Sequence, residues 1–160
     1  MAYDKHRFKT GTTLTSLQPS FRKKVETWLN WCQAEGFLLF IDFTLRTRAE
    51  QLEIYSRGRR KVGPIWVKVG RTVTDAKPGS SYHEYGLAID VYRLVGGQPD
   101  FNTPVQQRVV DLAKKAGMTW GGDWMRLGKA KFNDRPHFDD AEKPPIRECR
   151  RIWPDGWKVA

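Results

Sequence analysis

Apolar residues recur at helical spacing at Phe21, Val25, Trp28, Leu29 and Cys32, with Pro19 near the start and Gly36 just past the end. This pattern predicts a first helix, with Trp28 and Trp31 in the core. Phe37 to Leu45 is an apolar run that predicts a strand. Thr47-Arg48-Ala49-Glu50 has the form of a capping box and predicts a second helix ending near Gly58. Ile65 to Val69 predicts a short strand. Gly86 to Val95 predicts the central strand, entered from the glycine-rich loop Pro78-Gly79-Ser80-Ser81 and left through a turn at Gly96-Gly97. Thr103 then predicts a helix cap with Pro104 in the first position. Val105, Val109, Leu112 and Ala116 form that helix's inner face, and Gly117 stops it. The tail from Pro144 carries Trp153-Pro154-Asp155-Gly156-Trp157, predicted as a turn packed on the domain. The mixture defines an α+β fold.

Length adds that residues 1–160 form one domain, since 160 residues can bury a real core and seven tryptophans and eight phenylalanines can fill it. No repeat or low-complexity linker divides the chain. No apolar run has transmembrane length. The start, Met1 to His6, has no apolar stretch of the secretory kind, so the expectation is a protein made in the cytoplasm. Cys32 and Cys149 are too few and too separated for a disulfide framework and are expected as reduced thiols.

The net charge of +10 has two readings, attraction to an anionic surface and simple solubility. Nucleic-acid binding would rest on charge alone, and no specific nucleic acid is expected. The densest basic run, Arg57-Gly58-Arg59-Arg60-Lys61, followed by Lys68 and Arg71, has few interleaved aromatics and is predicted as a solvated loop.

Candidate chemistry gathers in two fragments. Ser81-Tyr82-His83-Glu84-Tyr85-Gly86-Leu87-Ala88-Ile89-Asp90 holds an imidazole and a carboxylate seven residues apart, and Asp134-Arg135-Pro136-His137-Phe138 holds another of each. They supply two of the chain's three histidines; His6, in a polar N-terminus, is not expected to be a ligand. Together the two fragments offer two imidazoles and a carboxylate, the three protein ligands that a catalytic zinc needs, with a second carboxylate left over; if His137 binds the metal, Asp134 can face the metal-bound water without being a ligand. The spacing is not the helical His-Glu-x-x-His arrangement. It puts His83 at the loop-to-strand approach and Asp90 on the strand. Taken singly, each of these residues also fits a purely structural role.

Ser-x-His-x-x-Gly-x-Ala-x-Asp followed by Asp-x-Pro-His resembles the zinc peptidases that cut bacterial peptidoglycan stem peptides. That family includes D,D-carboxypeptidases, D,D-dipeptidases and L-alanyl-D-glutamate endopeptidases, many of them phage endolysins. Trp120-Gly121-Gly122-Asp123-Trp124 resembles the endopeptidase branch, as does Thr44 to Gln51 around Arg46. The resemblance runs from Phe37 to Phe138, with one departure: the link Met125 to Asn133 is longer than expected in close relatives and bears on the rim of the cleft.

The resemblance implies a central, mainly antiparallel sheet flanked by helices, in the manner of hedgehog and D,D-peptidase domains, with one Zn2+ in a cleft on the sheet. It assigns His83, Asp90 and His137 to the metal, Asp134 to general acid–base work, Arg46 to the substrate carboxylate or the developing oxyanion, and Ser81 to the substrate. Gln51 and Asp123 are read as structural. It implies bacterial peptidoglycan as partner, reached after release from the cell that made the enzyme, by a monomer without a separate wall-binding module. The basic surface would meet the anionic envelope. The leading expectation is an L-Ala-D-Glu endopeptidase; the alternatives are a D,D-carboxypeptidase and a zinc-binding module without catalysis, against which the presence of Asp134 argues.

Overall fold

A computed structural model describes residues 13–160. The readings made on Met1 to His6 lie outside the described residues. Helix α1 (Pro19–Ala34) begins with proline, whose missing N–H costs nothing in the first turn, and buries Phe21, Val25, Trp28 and Cys32 at the predicted spacing. Strand β1 (Leu39–Phe43) follows. Helix α2 (Arg48–Ser56) is opened by the predicted capping box, in which the Glu50 N–H donates to Thr47 Oγ1 at 3.1 Å and the Thr47 N–H donates to the Glu50 carboxylate at 2.7 Å.

The basic run departs from its prediction. Strand β2 (Arg59–Val62) pairs antiparallel with β3 (Ile65–Lys68) as a separate hairpin, and Arg59 is buried. A buried guanidinium needs acceptors. Arg59 finds them in the carbonyls of Tyr55 (2.6 Å) and Thr74 (2.9 Å) and the carboxylate of Asp75 (3.0 Å), while its plane covers the Tyr55 ring.

The main sheet has five strands. β4 (Ala88–Val95) is central, as predicted; β1 and β7 (His137–Asp140) flank it, β6 (Met118–Trp120) lies outside β7, and β5 (Gln98–Asp100) pairs with the outer part of β4. All its pairings are antiparallel. Side chains alternate across a strand. Ile89 and Val91 therefore face the core, while Asp90 and Tyr92 line the opposite, open face. Phe138 on β7 follows the first rule. It is fully buried, with ring centroids 5.5 Å from Trp28 and 6.5 Å from Trp120.

Helix α3 (Gln107–Lys115) closes the core with Val109, Val110, Leu112 and Ala113. It starts later than the Thr103 cap and Pro104 predict. The Asp100 carboxylate accepts from the Asn102 N–H (3.0 Å) and the Thr103 N–H (3.2 Å), which holds that segment as a turn, and Val105 is buried before the helix begins. The tail also holds more than the predicted turn: α4 (Ile146–Ile152) precedes it and buries Cys149. The turn itself packs as expected, with Trp153 6.2 Å from Tyr85 and the Trp157 N–H on the Glu84 carbonyl at 2.9 Å.

Candidate metal centre and cleft

Asp90 sits mid-sheet, directly opposite His137 in the β4–β7 register and opposite Phe43 across β1. Between Ile41 and Phe43 the β1–β4 register shifts, so Asp42 and Phe43 both line the cleft; such bulges re-aim side chains. His83 arrives from a 3-10 turn, Tyr82–Tyr85, that ends at Gly86 with φ of 64°. This left-handed turn is cheap only for glycine. A Cβ at Gly86 would also press on Trp157, which gives that glycine of the motif two physical reasons.

The entry loop is held by Glu84. Its buried carboxylate accepts from the Gly79 N–H (2.8 Å) and the Ser81 N–H (3.1 Å) and pairs with Arg48 at 2.7 Å. Burial nevertheless raises its pKa, against those N–H groups and Arg48. Ser81 thus stands at the start of the turn, nearly buried, on the cleft wall.

Three donor atoms converge. His83 Nε2 lies 3.3 Å from Asp90 Oδ1, and His137 Nδ1 lies 3.7 Å from the same oxygen. All three residues offer atoms within 4.8 Å of one another. The other nitrogen of each ring is occupied. His83 Nδ1 is 3.0 Å from the Thr44 carbonyl, which can only accept, so Nδ1 carries the proton. His137 Nε2 is 3.1 Å from Asp139 Oδ2, again an acceptor. With those nitrogens engaged, each ring in its neutral form would turn its remaining lone pair, beside the Asp90 carboxylate, toward one point. Only a cation or added protons relieve that arrangement. Tetrahedral ligands about 2.0–2.1 Å from a zinc ion stand about 3.3–3.4 Å apart, close to the two separations made to Asp90. The group fits a small divalent ion by donor chemistry and by spacing.

The surroundings set the charges. Burial opposes ionisation of Asp90, but His83, His137 and Arg46 outweigh it and lower its pKa to about 2. Burial also works against a charged His137 ring, yet the Asp139 hydrogen bond and the carboxylates of Asp139, Asp90 and Asp134 raise its pKa. Asp139 shares the cleft face with His137, two residues along β7. It is held by the Lys143 ammonium at 3.1 Å and by the Thr119 hydroxyl. Strand alternation was the available signal for its bond to His137.

Asp134 lies on the cleft wall, with its N–H on the Gly121 carbonyl at 3.0 Å and its own carbonyl accepting from the His137 N–H at 3.2 Å. Gly121 packs so closely on that carbonyl that a Cβ would collide with it. This accounts for one glycine of the Trp-Gly-Gly-Asp-Trp run. Burial, then the charge of Asp90, raise the Asp134 pKa. Arg46 is nearly buried beside the donors, with NH1 on Gln51 Oε1 at 2.9 Å and NH2 3.8 Å from Asp90 Oδ2. Gln51 is fixed in turn by the Ala76 carbonyl at 2.7 Å. Asp123 pairs with Lys114 at 2.6 Å.

The cleft has a volume of about 1080 Å³, at the top of the roughly 300–1,000 Å³ usual for small-molecule pockets. One wall is α2 and residues 73–76; the other includes Trp124 and, from the long link, Leu127 and Phe132. The link thus forms part of the rim, where the sequence located it.

Two imidazoles and a carboxylate on the open face of an antiparallel sheet, with a further carboxylate beside them, define the site of a metallopeptidase. The comparisons agree. A family described as D-alanyl-D-alanine carboxypeptidase, of the M15 peptidases, matches residues 74–140. The peptidoglycan L-alanyl-D-glutamate endopeptidase CwlK of Bacillus subtilis (strain 168) is 31% identical over 154 residues, covering 86% of this chain and 85% of its own. The L-alanyl-D-glutamate peptidase of Listeria phage A118 is 26% identical over 113 residues, 69% of this chain but only 33% of the phage protein. The solved structure of the vancomycin-resistance D,D-pentapeptidase VanY in complex with Zn(II) shares the fold, with a TM-score of 0.52 and 16% identity over 86% of this chain and 77% of that one. The chain belongs to the M15 peptidase family.

Proposed function

We propose that this chain is a zinc-dependent endopeptidase that cuts the L-Ala-D-Glu bond of peptidoglycan stem peptides. The observation that carries the metal is the convergence of His83 Nε2, Asp90 Oδ1 and His137 Nδ1, with the other nitrogen of each ring engaged by an acceptor. The choice of bond is supported by CwlK, whose name gives that activity and whose length this chain nearly spans, and by the phage peptidase. The size of the cleft suits a substrate of several residues.

His83, Asp90 and His137 would hold the ion. Bound there, zinc supplies a Lewis acid for the scissile carbonyl and a water acidified to a pKa of about 7. Asp134 is the proton carrier. Its carboxyl faces the cleft with no side-chain hydrogen bond among the described residues, so it is free to take a proton from the attacking water and return it to the leaving amine. Arg46, aimed by Gln51, faces the developing oxyanion or a substrate carboxylate. Ser81 borders the substrate path.

A D,D-carboxypeptidase is the second reading, favoured by the description of the matching family. Mass spectrometry of a purified peptidoglycan digest separates the two. Fragments with a new N-terminal D-Glu support the proposal; release of terminal D-Ala alone refutes it. His83→Ala and His137→Ala should each lose bound zinc as well as turnover, and full zinc occupancy in both would remove the ligand assignment.

A further inference from the structure

The β2–β3 hairpin plays no part in the site described above, and its two faces are unlike. In the register Arg59 pairs with Lys68, Arg60 with Val67, Lys61 with Trp66, and Val62 with Ile65. Paired residues share a face and successive pairs alternate. One face therefore carries Arg59, Lys61, Trp66 and Lys68. It turns toward the domain at Arg59, stacked 3.9 Å over Tyr55, and at Trp66, 6.3 Å edge-on to the same ring. The other face carries Arg60, Val62, Ile65 and Val67. Val62 is 46% exposed, Ile65 60% and Val67 39%, and Val69 just beyond the strand is also exposed. The turn between them, Gly63-Pro64, is exposed as well.

The base of the hairpin is clamped. The N–H groups of Val69 and Gly70 donate to the Gly58 carbonyl at 2.9 and 3.1 Å. Gly58, at φ of 74°, lies so close to the Arg71 carbonyl that any side chain would collide with it. The aliphatic tip is thus presented on a fixed support, and among the described residues nothing packs over its outer face.

Charge identifies what would cover it. Residues 57–74 contain Arg57, Arg59, Arg60, Lys61, Lys68 and Arg71 and no Asp or Glu. Three of these are matched: Arg57 by Glu53 (2.6 Å), Arg59 by Asp75 (3.0 Å) and Lys68 by Asp75 (3.3 Å). Arg60, Lys61 and Arg71 have no acidic partner among the described residues. Aliphatic side chains at a projecting tip, with the unmatched Arg60 on the same face and the exposed Lys61 next to it on the strand, complement an anionic lipid bilayer, where chains enter the interface and cations meet headgroups. A soluble polyanion would match the cations and leave Val62, Ile65 and Val67 in water.

We propose that the outer face of the β2–β3 hairpin docks the protein on anionic lipid membranes. The proposal is independent of the bond that the cleft cuts, and its test needs no substrate. The full chain is sedimented with vesicles of phosphatidylglycerol and phosphatidylethanolamine, and with vesicles of phosphatidylcholine alone. Binding is expected on the anionic vesicles only. It should weaken as salt rises, since exposed charges are screened over about 8 Å at physiological ionic strength. Replacing Arg60 and Lys61 together with Ala should weaken it about thirtyfold, each cation near such a surface being worth about fivefold. Val62→Asn with Ile65→Asn should abolish it at unchanged charge. Circular dichroism and thermal unfolding check that both variants stay folded. Absence of binding to anionic vesicles overturns the proposal. So does parent-like binding by the Asn variant, which would make the hairpin a general polyanion site, and so does equal binding to the neutral vesicles.

Discussion

Asp139→Ala tests whether the cleft is held together as the geometry implies. The carboxylate is almost wholly buried and has three partners: His137 Nε2 at 3.1 Å, Lys143 Nζ at 3.1 Å and the Thr119 hydroxyl. Removing it frees the His137 ring in two ways. The ring loses the bond that fixes its plane. It also loses the acceptor that keeps the proton on Nε2, so the tautomer protonated at Nδ1, the atom that faces Asp90, is no longer disfavoured. Outer partners of this kind change metal affinity by about 10–100-fold, or about 1.4–2.7 kcal/mol. Fold stability should fall too. Lys143 keeps partial access to water, so the loss is that of an unpaired polar group, about 1–3 kcal/mol, rather than that of a fully buried broken ion pair.

The assay is competition for zinc against a fluorescent chelator, with circular dichroism as the check on folding. Two further variants separate the causes. Asp139→Asn keeps an oxygen that can accept from His137 but loses the charge, and should fall between parent and Asp139→Ala. Lys143→Met removes the charge partner and leaves the bond to the ring, so it should lower stability more than zinc affinity. Parent-like zinc affinity in a folded Asp139→Ala would refute the reasoning and make Asp139 a purely structural carboxylate.

Asp134→Ala should keep zinc and fold while losing about 10²–10⁴-fold in turnover, measured on a soluble stem peptide; near-normal turnover would return the base role to another carboxylate. Phe138→Ala should cost about 3–5 kcal/mol in denaturant unfolding, because that fully buried ring bridges Trp28 and Trp120 behind the site. Burial, then the charge of Glu35, push the Cys32 thiol up to about 12, and burial raises Cys149 as well. Neither should react with iodoacetamide at pH 8 until the protein unfolds, so fast labelling of the native chain would contradict the packing described. Zinc at a hundred times its dissociation constant should stabilise the fold by about 2.7 kcal/mol, and a thermal scan that does not move with zinc would show that the unfolded chain binds it equally well.

Much of this was legible where local chemistry and long-range packing agree. Proline at the start of α1, the Thr47–Glu50 capping box and the apolar run into β4 each state their element in a few residues. The donor set was legible because two motifs carry it, although their approach is a matter of strand register that spacing does not disclose. Strand β2 was hidden because Arg59, Arg60 and Lys61 read as solvent-facing, and the acceptors that bury Arg59 come from Tyr55, Thr74 and Asp75. The start of α3 was misplaced because Asp100 captures the N–H groups that follow it. The Thr44 carbonyl behind His83 had no signal, since any residue supplies a carbonyl.

One rule of strand geometry links the core to the site. Because neighbours on a strand face opposite ways, Ile89 and Val91 lock Asp90 into place, and Phe138 does the same for His137 and Asp139. The apolar packing that drives folding thereby sets three groups that repel one another. Holding two imidazoles and a carboxylate at 3.3 and 3.7 Å costs free energy, which Arg46, 3.8 Å from Asp90, offsets only in part. The compensation comes from the far face of the sheet, where α1 and α3 cover buried side chains. The donors are therefore placed by the folding of the sheet. Ordering them is part of folding rather than of binding, which leaves the affinity for the ion undiminished by that cost.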